Sequence, residues 1–274
     1  MLSVFGDESH DETKSRVFVV AGLLGNEDDW NGLRSRWKER VAGLIFHAAD
    51  CESGYDDFRG MKECDRLQLH RDLTEILAES NLMGYGAAID LPGCREVASA
   101  VFEEFPDMPY YDCFVRVLHN LSDISELFVP SDRVEFTFDQ HKETQYNAGL
   151  LYDWLSQYMP TVVEKISFGT RKEPGIQAAD LWAREVMKRC NSLMFNERST
   201  PRPQWKRLSG TNMFRCQFMR GPEFAHDIEE ARSMGTIKHE DYEKWRVSKK
   251  LVDNLSNRFR YHAMRDLANN RGES

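Results

Sequence analysis

A few acidic positions carry most of the chemistry this sequence could do. The stretch L-S-V-F-G-D-E-S, Leu2 to Ser9, runs strand-forming or small residues straight into Asp7 and Glu8. Carboxylates are depleted in strands, since a charge rarely suits a half-buried pleated surface. Such a pair suits either a polar hairpin turn or metal ligands at a strand's carboxyl end. R-V-E-F-T-F-D, Arg133 to Asp139, alternates Val134, Phe136 and Phe138 with polar residues and ends on Asp139, mirroring Asp7. In G-I-Q-A-A-D-L-W-A-R-E-V-M, Gly175 to Met187, Asp180 shares a helical stripe with Ile176, Ala179, Ala183 and Met187. A carboxylate inside an apolar stripe must be protonated, paired or metal-bound, because an unpaired buried charge is costly. F-H-A-A-D-C-E-S, Phe46 to Ser53, adds His47, Asp50 and Glu52. Read as an extended segment it puts the two acids on one face; read as an exposed polar loop it puts them in water.

The elements that must position these residues follow from periodicity. Val17 to Leu24 is a continuous apolar run and reads as a strand buried on both faces, pairing with Leu2–Gly6 across a loop at Ser9 to Arg16. Trp30, Leu33, Trp37, Val41 and Leu44 keep helical spacing behind a cap at Asp28 or Asp29. A helix over Lys62 to Ser80 places Leu67, Leu73, Ile76 and Leu77 inward. Leu82 to Leu91 reads as a strand, stopped by Pro92, and Tyr110 to Phe128 as an amphipathic helix. Thr144 caps a helix that follows the Asp139 strand, and Thr161 to Phe168 forms a short strand. Pro174 and Gly175 open the Asp180 helix, and Glu240 to Asn269 forms a long terminal helix. Together these elements read as α/β.

The chain has 274 residues and a formal charge of -9, unevenly spread. Residues 1–195 carry 20 Lys/Arg and 34 Asp/Glu, whereas residues 196–274 carry 16 and 11. The balance excludes a generic polyanion binder, but an acidic body with a basic tail suits a metal site beside a phosphate-contacting surface. It also suits a helical tail with no ligand. Asn196 to Pro222 holds Arg198, Arg202, Lys206, Arg207, Arg215 and Arg220 against Glu197, with Trp205, Phe214 and Phe218 interleaved. That mix suits nucleic acid, or an ordinary irregular connection. The six cysteines form no C-x-x-C pair, which argues against a zinc ribbon. No signal peptide and no membrane-length apolar run is visible, so the expected setting is cytoplasmic, with no membrane partner. Phosphate-binding loops of the Walker and G-x-G-x-x-G types are absent, as is the G-x-S-x-G elbow.

An opening strand ending in D-E-S, a buried second strand, an F-x-F-D strand near mid-chain and a late I-Q-x-A-D-L helix, in that order, resemble the domain of unknown function 3800 family of bacteria and phages. The resemblance runs from Leu2 to about Cys190. It implies a ribonuclease H-like fold: a mixed five-stranded sheet flanked by helices over residues 1–195. Residues 196–274 would add a basic loop and a helical C-terminal extension to the same domain. It also implies Asp7 as the first-strand carboxylate, Asp139 as the fourth-strand one and Asp180 as the late-helix one, with Asp50 or Glu52 supplying the remaining acid. Those carboxylates would hold Mg2+ or Mn2+ for phosphodiester hydrolysis. RNA or DNA would be the substrate, contacted by Arg202, Lys206 and Arg207. The second expectation is a non-catalytic scaffold of a phage-defence or mobile-element system, binding a protein partner through the C-terminal helix.

Overall fold

The computed structural model describes residues 2–101, 109–128, 134–139, 163–195 and 199–226. The helix expected from Thr144 and the terminal helix over Glu240 to Asn269, with the protein partner assigned to it, lie outside the described residues.

The sequence opens with a hairpin. Strands β1 (Leu2–His10) and β2 (Val17–Asn26) pair antiparallel from Leu2↔Asn26 to His10↔Phe18. Asp11 fastens the turn: its carboxylate accepts the backbone N–H groups of Thr13, Ser15, Arg16 and Val17 and the Thr13 hydroxyl. These bonds hold the Asp11 carboxyl below its ordinary range although burial opposes ionisation. Helix α1 (Glu27–Val41) follows directly, with Asn26 and Asp29 bonding each other's backbone N–H in a reciprocal cap.

Next come α2 (Ala48–Ser53), α3 (Glu63–Ala78), β3 (Met83–Asp90), α4 (Leu91–Val101), α5 (Pro109–Phe128), β4 (Val134–Asp139) and β5 (Val163–Gly169). The described chain then adds α6 (Pro174–Phe195), α7 (Pro203–Ser209) and β6 (Phe214–Met219). The sheet order is β5-β4-β1-β2-β3-β6. β2 is antiparallel to both β1 and β3, while β4 runs parallel to β1, β5 to β4, and β6 to β3. The chain is therefore mixed α/β, and β1 sits at the sheet's centre.

Alternation along the strands divides the core into two layers. Val4, Val20, Val134, Phe136 and Phe138 pack with Phe114, Val117 and Leu121 of α5. Phe5, Val19, Ala21 and Leu23 pack with Trp30 and Trp37 of α1 and with Ile176, Trp182 and Val186 of α6. Glycines let α6 lie close on the sheet. A Cβ on Gly175 would meet the Phe5 ring at 2.6 Å, and one on Gly86 would meet Val186 at 2.9 Å.

Three expectations are corrected. The sheet has six strands among the described residues, not five, because F-R-C-Q-F-M pairs with β3 inside the stretch read as a basic loop. Polar residues suit an edge strand, so alternation there was masked. Ala48–Ser53 is helical rather than extended, so Asp50 and Glu52 diverge, since neighbours two apart on a helix do not share a face. Leu67 points to solvent, with 45% of its surface exposed.

Candidate carboxylate site

Strand alternation decides where the aspartates point. Phe138 packs toward α5, so Asp139 turns to the opposite face, over which α6 lies. Phe5 packs against α1 and α6, and Asp7, two residues on, shares that face. The parallel register reaches Gly6↔Phe138, which puts Asp7 and Asp139 side by side at the next step. Across from them, α6 begins buried all round: every residue from Pro174 to Ala183 is buried, Asp180 among them. The three aspartates are 4%, 6% and 5% exposed in chain order.

Each carboxylate has some polar support. Asp7 Oδ1 accepts the Glu8 N–H at 2.8 Å. Asp139 Oδ2 accepts from Arg171 Nε at 3.2 Å. Asp180 Oδ2 accepts the Ala48 N–H at 2.6 Å, and His47 Nε2 lies 3.8 Å from its other oxygen. The other ring nitrogen of His47 meets Asp50 Oδ2 at 2.5 Å. Asp50 thus reaches the cluster through His47.

The electrostatics show how crowded the cluster is. Burial, then Asp180, Glu8 and Asp139, push the Asp7 carboxyl well above its ordinary range. Burial also raises Asp180, against the pull of His47 and the Ala48 N–H. Glu8 is pushed up to about 7 by burial and by Asp139, with Arg171 and Lys14 opposing. Burial disfavours the Arg171 cation, yet Asp139, Asp7 and Asp180 outweigh it and raise its pKa.

Glu52 belongs to a second cluster. Arg184 bonds it through Nε and Nη2 at 3.0 and 2.7 Å, Arg202 Nη1 lies 2.7 Å away, and Lys188 Nζ 3.6 Å. These cations hold Glu52 down to about 2 against burial. Arg202 Nη2 also reaches Glu185 Oε1 at 3.3 Å, and His70 Nε2 lies 3.9 Å from the same oxygen. Among the described residues, Glu52, His70 and Glu185 are the set whose ligand atoms all lie within 4.8 Å of one another. That geometry could hold a metal ion. The three aspartates do not meet so tightly.

Of the three basic residues read as nucleic-acid contacts, Arg202 turns inward to Glu52 and Glu185. Arg207 Nε pairs with Glu75 Oε2 of α3 at 2.6 Å, and Lys206 is exposed on α7. Arg171 and Glu185 escaped the sequence reading. Nothing in T-R-K-E-P-G marks Arg171. Glu185 had a signal, because Leu181, Trp182 and Val186 make this helix apolar on its other side too, and a helix apolar all round is buried. No helix is long and apolar enough to cross a membrane. No protein-family model matches the chain, and no curated protein matches it.

Proposed function

We propose that the chain is a divalent-metal-dependent nuclease of ribonuclease H-like fold, hydrolysing phosphodiesters at Asp7, Asp139 and Asp180. The observation that carries this reading is the convergence of three nearly buried aspartates from two neighbouring parallel strands and the helix across them. Such a set is electrostatically costly by itself, and the raised Asp7 and Asp180 carboxyls express that cost. A structural role gives no reason to gather three of them.

The donor set fits Mg2+ or Mn2+, which favour carboxylate oxygens and keep several waters. Asp7, Asp139 and Asp180 would hold the ions; two ions about 4 Å apart need not share every ligand. When bound, such ions activate a water and stabilise the leaving oxygen. The protein supplies orientation. The Ala48 N–H and His47 fix the Asp180 carboxylate, and Asp50 fixes His47. Arg171, with 42% of its side chain exposed beside Asp139, is placed to meet a substrate phosphate.

The test is Asp139→Asn, with Asp7→Asn in parallel. Each keeps shape and removes one charge. Metal-dependent cleavage of RNA or DNA should vanish while the metal-free melting temperature stays level or rises. Glu79→Gln, on an exposed pair with Arg36, should change neither. Full activity in Asp139→Asn would end the reading. A metal-independent melting temperature in the wild type, with no cleavage of any nucleic acid, would favour the scaffold reading instead.

A further inference from the structure

Asp180, Arg184 and Lys188 are spaced four apart on α6 and so share one face. Charge reverses along that face, from the aspartates to a cationic end about 12 Å away at 1.5 Å per residue. Beside Lys188 is a partly open cavity of about 20 Å³, more than the roughly 10–15 Å³ one water takes. Lys188, Arg189, Arg202, Ser192, Thr200 and Trp205 contribute to its lining, with Glu185 as an inner wall.

The charges there do not balance. Arg184, Lys188 and Arg202 gather on Glu52, and Arg202 also on Glu185. Arg189 is held by the neutral Ser199 carbonyl and hydroxyl, at 3.0 and 3.2 Å. Four cations therefore face two carboxylates. Glu185, fully buried and with no hydrogen bond to either oxygen, is pushed up to about 7, which deepens the imbalance near neutral pH. Lys188 is lowered by burial and by Arg184 and Arg202. A dication at Glu52, His70 and Glu185 would have to displace Arg202 and enter a region already short of negative charge. An anion meets the opposite condition.

We infer that the cavity between α6 and the 199–205 segment binds a phosphate-sized oxyanion, either free phosphate or a phosphate of a nucleic-acid backbone. Lys188 and Arg189 supply the uncompensated charge. Arg202 adds a rigid fork with five donors. Ser192 and Thr200 offer hydroxyls. Trp205 stacks on Trp182 at 5.5 Å and 14°, making a flat wall beside the phosphate position. This goes beyond the carboxylate reading and does not depend on it.

The experiment is a thermal melt of the full chain with inorganic phosphate against chloride at equal ionic strength, without divalent metal. Phosphate should raise the wild-type midpoint by about 5–10 °C at a hundredfold excess over Kd. Lys188→Gln and Arg189→Gln should each lose most of that rise, while Lys206→Gln, on exposed α7, keeps it. Asp139→Asn should keep it too. A short single-stranded oligonucleotide that abolishes the phosphate increment identifies a backbone phosphate as the ligand, and one that leaves it intact identifies free phosphate. No phosphate-specific rise in the wild type overturns the inference. So does a full rise in both Lys188→Gln and Arg189→Gln, or a rise that disappears with Asp139.

Discussion

Glu185 shows how a single carboxyl can tune this protein. It is fully buried, its nearest cation is Arg202, and neither oxygen is hydrogen-bonded. Breaking a buried pair costs about 3–5 kcal/mol when the remaining charge has no escape. Glu185 has one, because it is already pushed up to about 7 and can take a proton. Arg202→Met should therefore cost about 3 kcal/mol at pH 8 and clearly less at pH 6. Adding Glu185→Gln should restore most of the loss at pH 8. Urea unfolding at the two pH values would decide it, and an equal loss at both would show that Arg202 acts through packing alone. The same reasoning sets the metal-free pH profile. Glu8 and Glu185 bind protons more tightly folded than unfolded, so they lower stability as pH rises from their ordinary value of 4.5 to about 7. Glu52 and Asp11 are held down, so their contribution disappears as pH falls below the ordinary carboxylate range. The melting temperature without metal should peak near pH 5. A peak above pH 7 would contradict the raised carboxyls.

The helix carrying Asp180 must lie close to β1 to do anything with it, and Gly175 sets that distance. Gly175→Ala would drive a methyl into the Phe5 ring. It should cost about 1–3 kcal/mol and lift Asp180 away from Asp7. Gly32→Ala is the matched control: it lies within α1 with nothing inside 4 Å of a new Cβ. That change should stabilise by about 0.5–1 kcal/mol. Comparing the two by chemical denaturation separates lost backbone freedom from lost approach. Elements of this kind were also the most legible part of the sequence. The F-x-F-D alternation placed Asp139 on the face opposite its phenylalanines, and the apolar stripe placed Asp180 inward, because both signals are periodic and local. Asp50 and Glu52 were misplaced because a six-residue helix carries too little periodicity to separate it from an extended segment. The Arg171–Asp139 contact was illegible for a different reason. It joins a turn to a distant strand, and only the tertiary fold brings them together.

At the scale of the whole molecule, the sheet is built outward from β1, with β2 on one side and β4 on the other. A chain ending at Phe128 keeps the β1–β2–β3 meander but leaves one side of the central strand without Val134, Phe136 and Phe138. Such a fragment should show no cooperative unfolding transition; a sharp urea transition close to that of the full chain would mean the core does not need β4. The same layout has a consequence during synthesis. The strand that ends up most enclosed emerges first, and its parallel partner follows only after β2, β3 and several helices. Until then one edge of β1 is an open template for other chains. Asp7 and Glu8 lie on that edge, and their like charges oppose register-matched pairing of two nascent copies. The carboxylates that burden the finished fold thus guard the unfinished one. Replacing both by their amides should lower the refolding yield at high protein concentration, even where the native state becomes more stable. An unchanged yield would show that aggregation is controlled elsewhere in the chain.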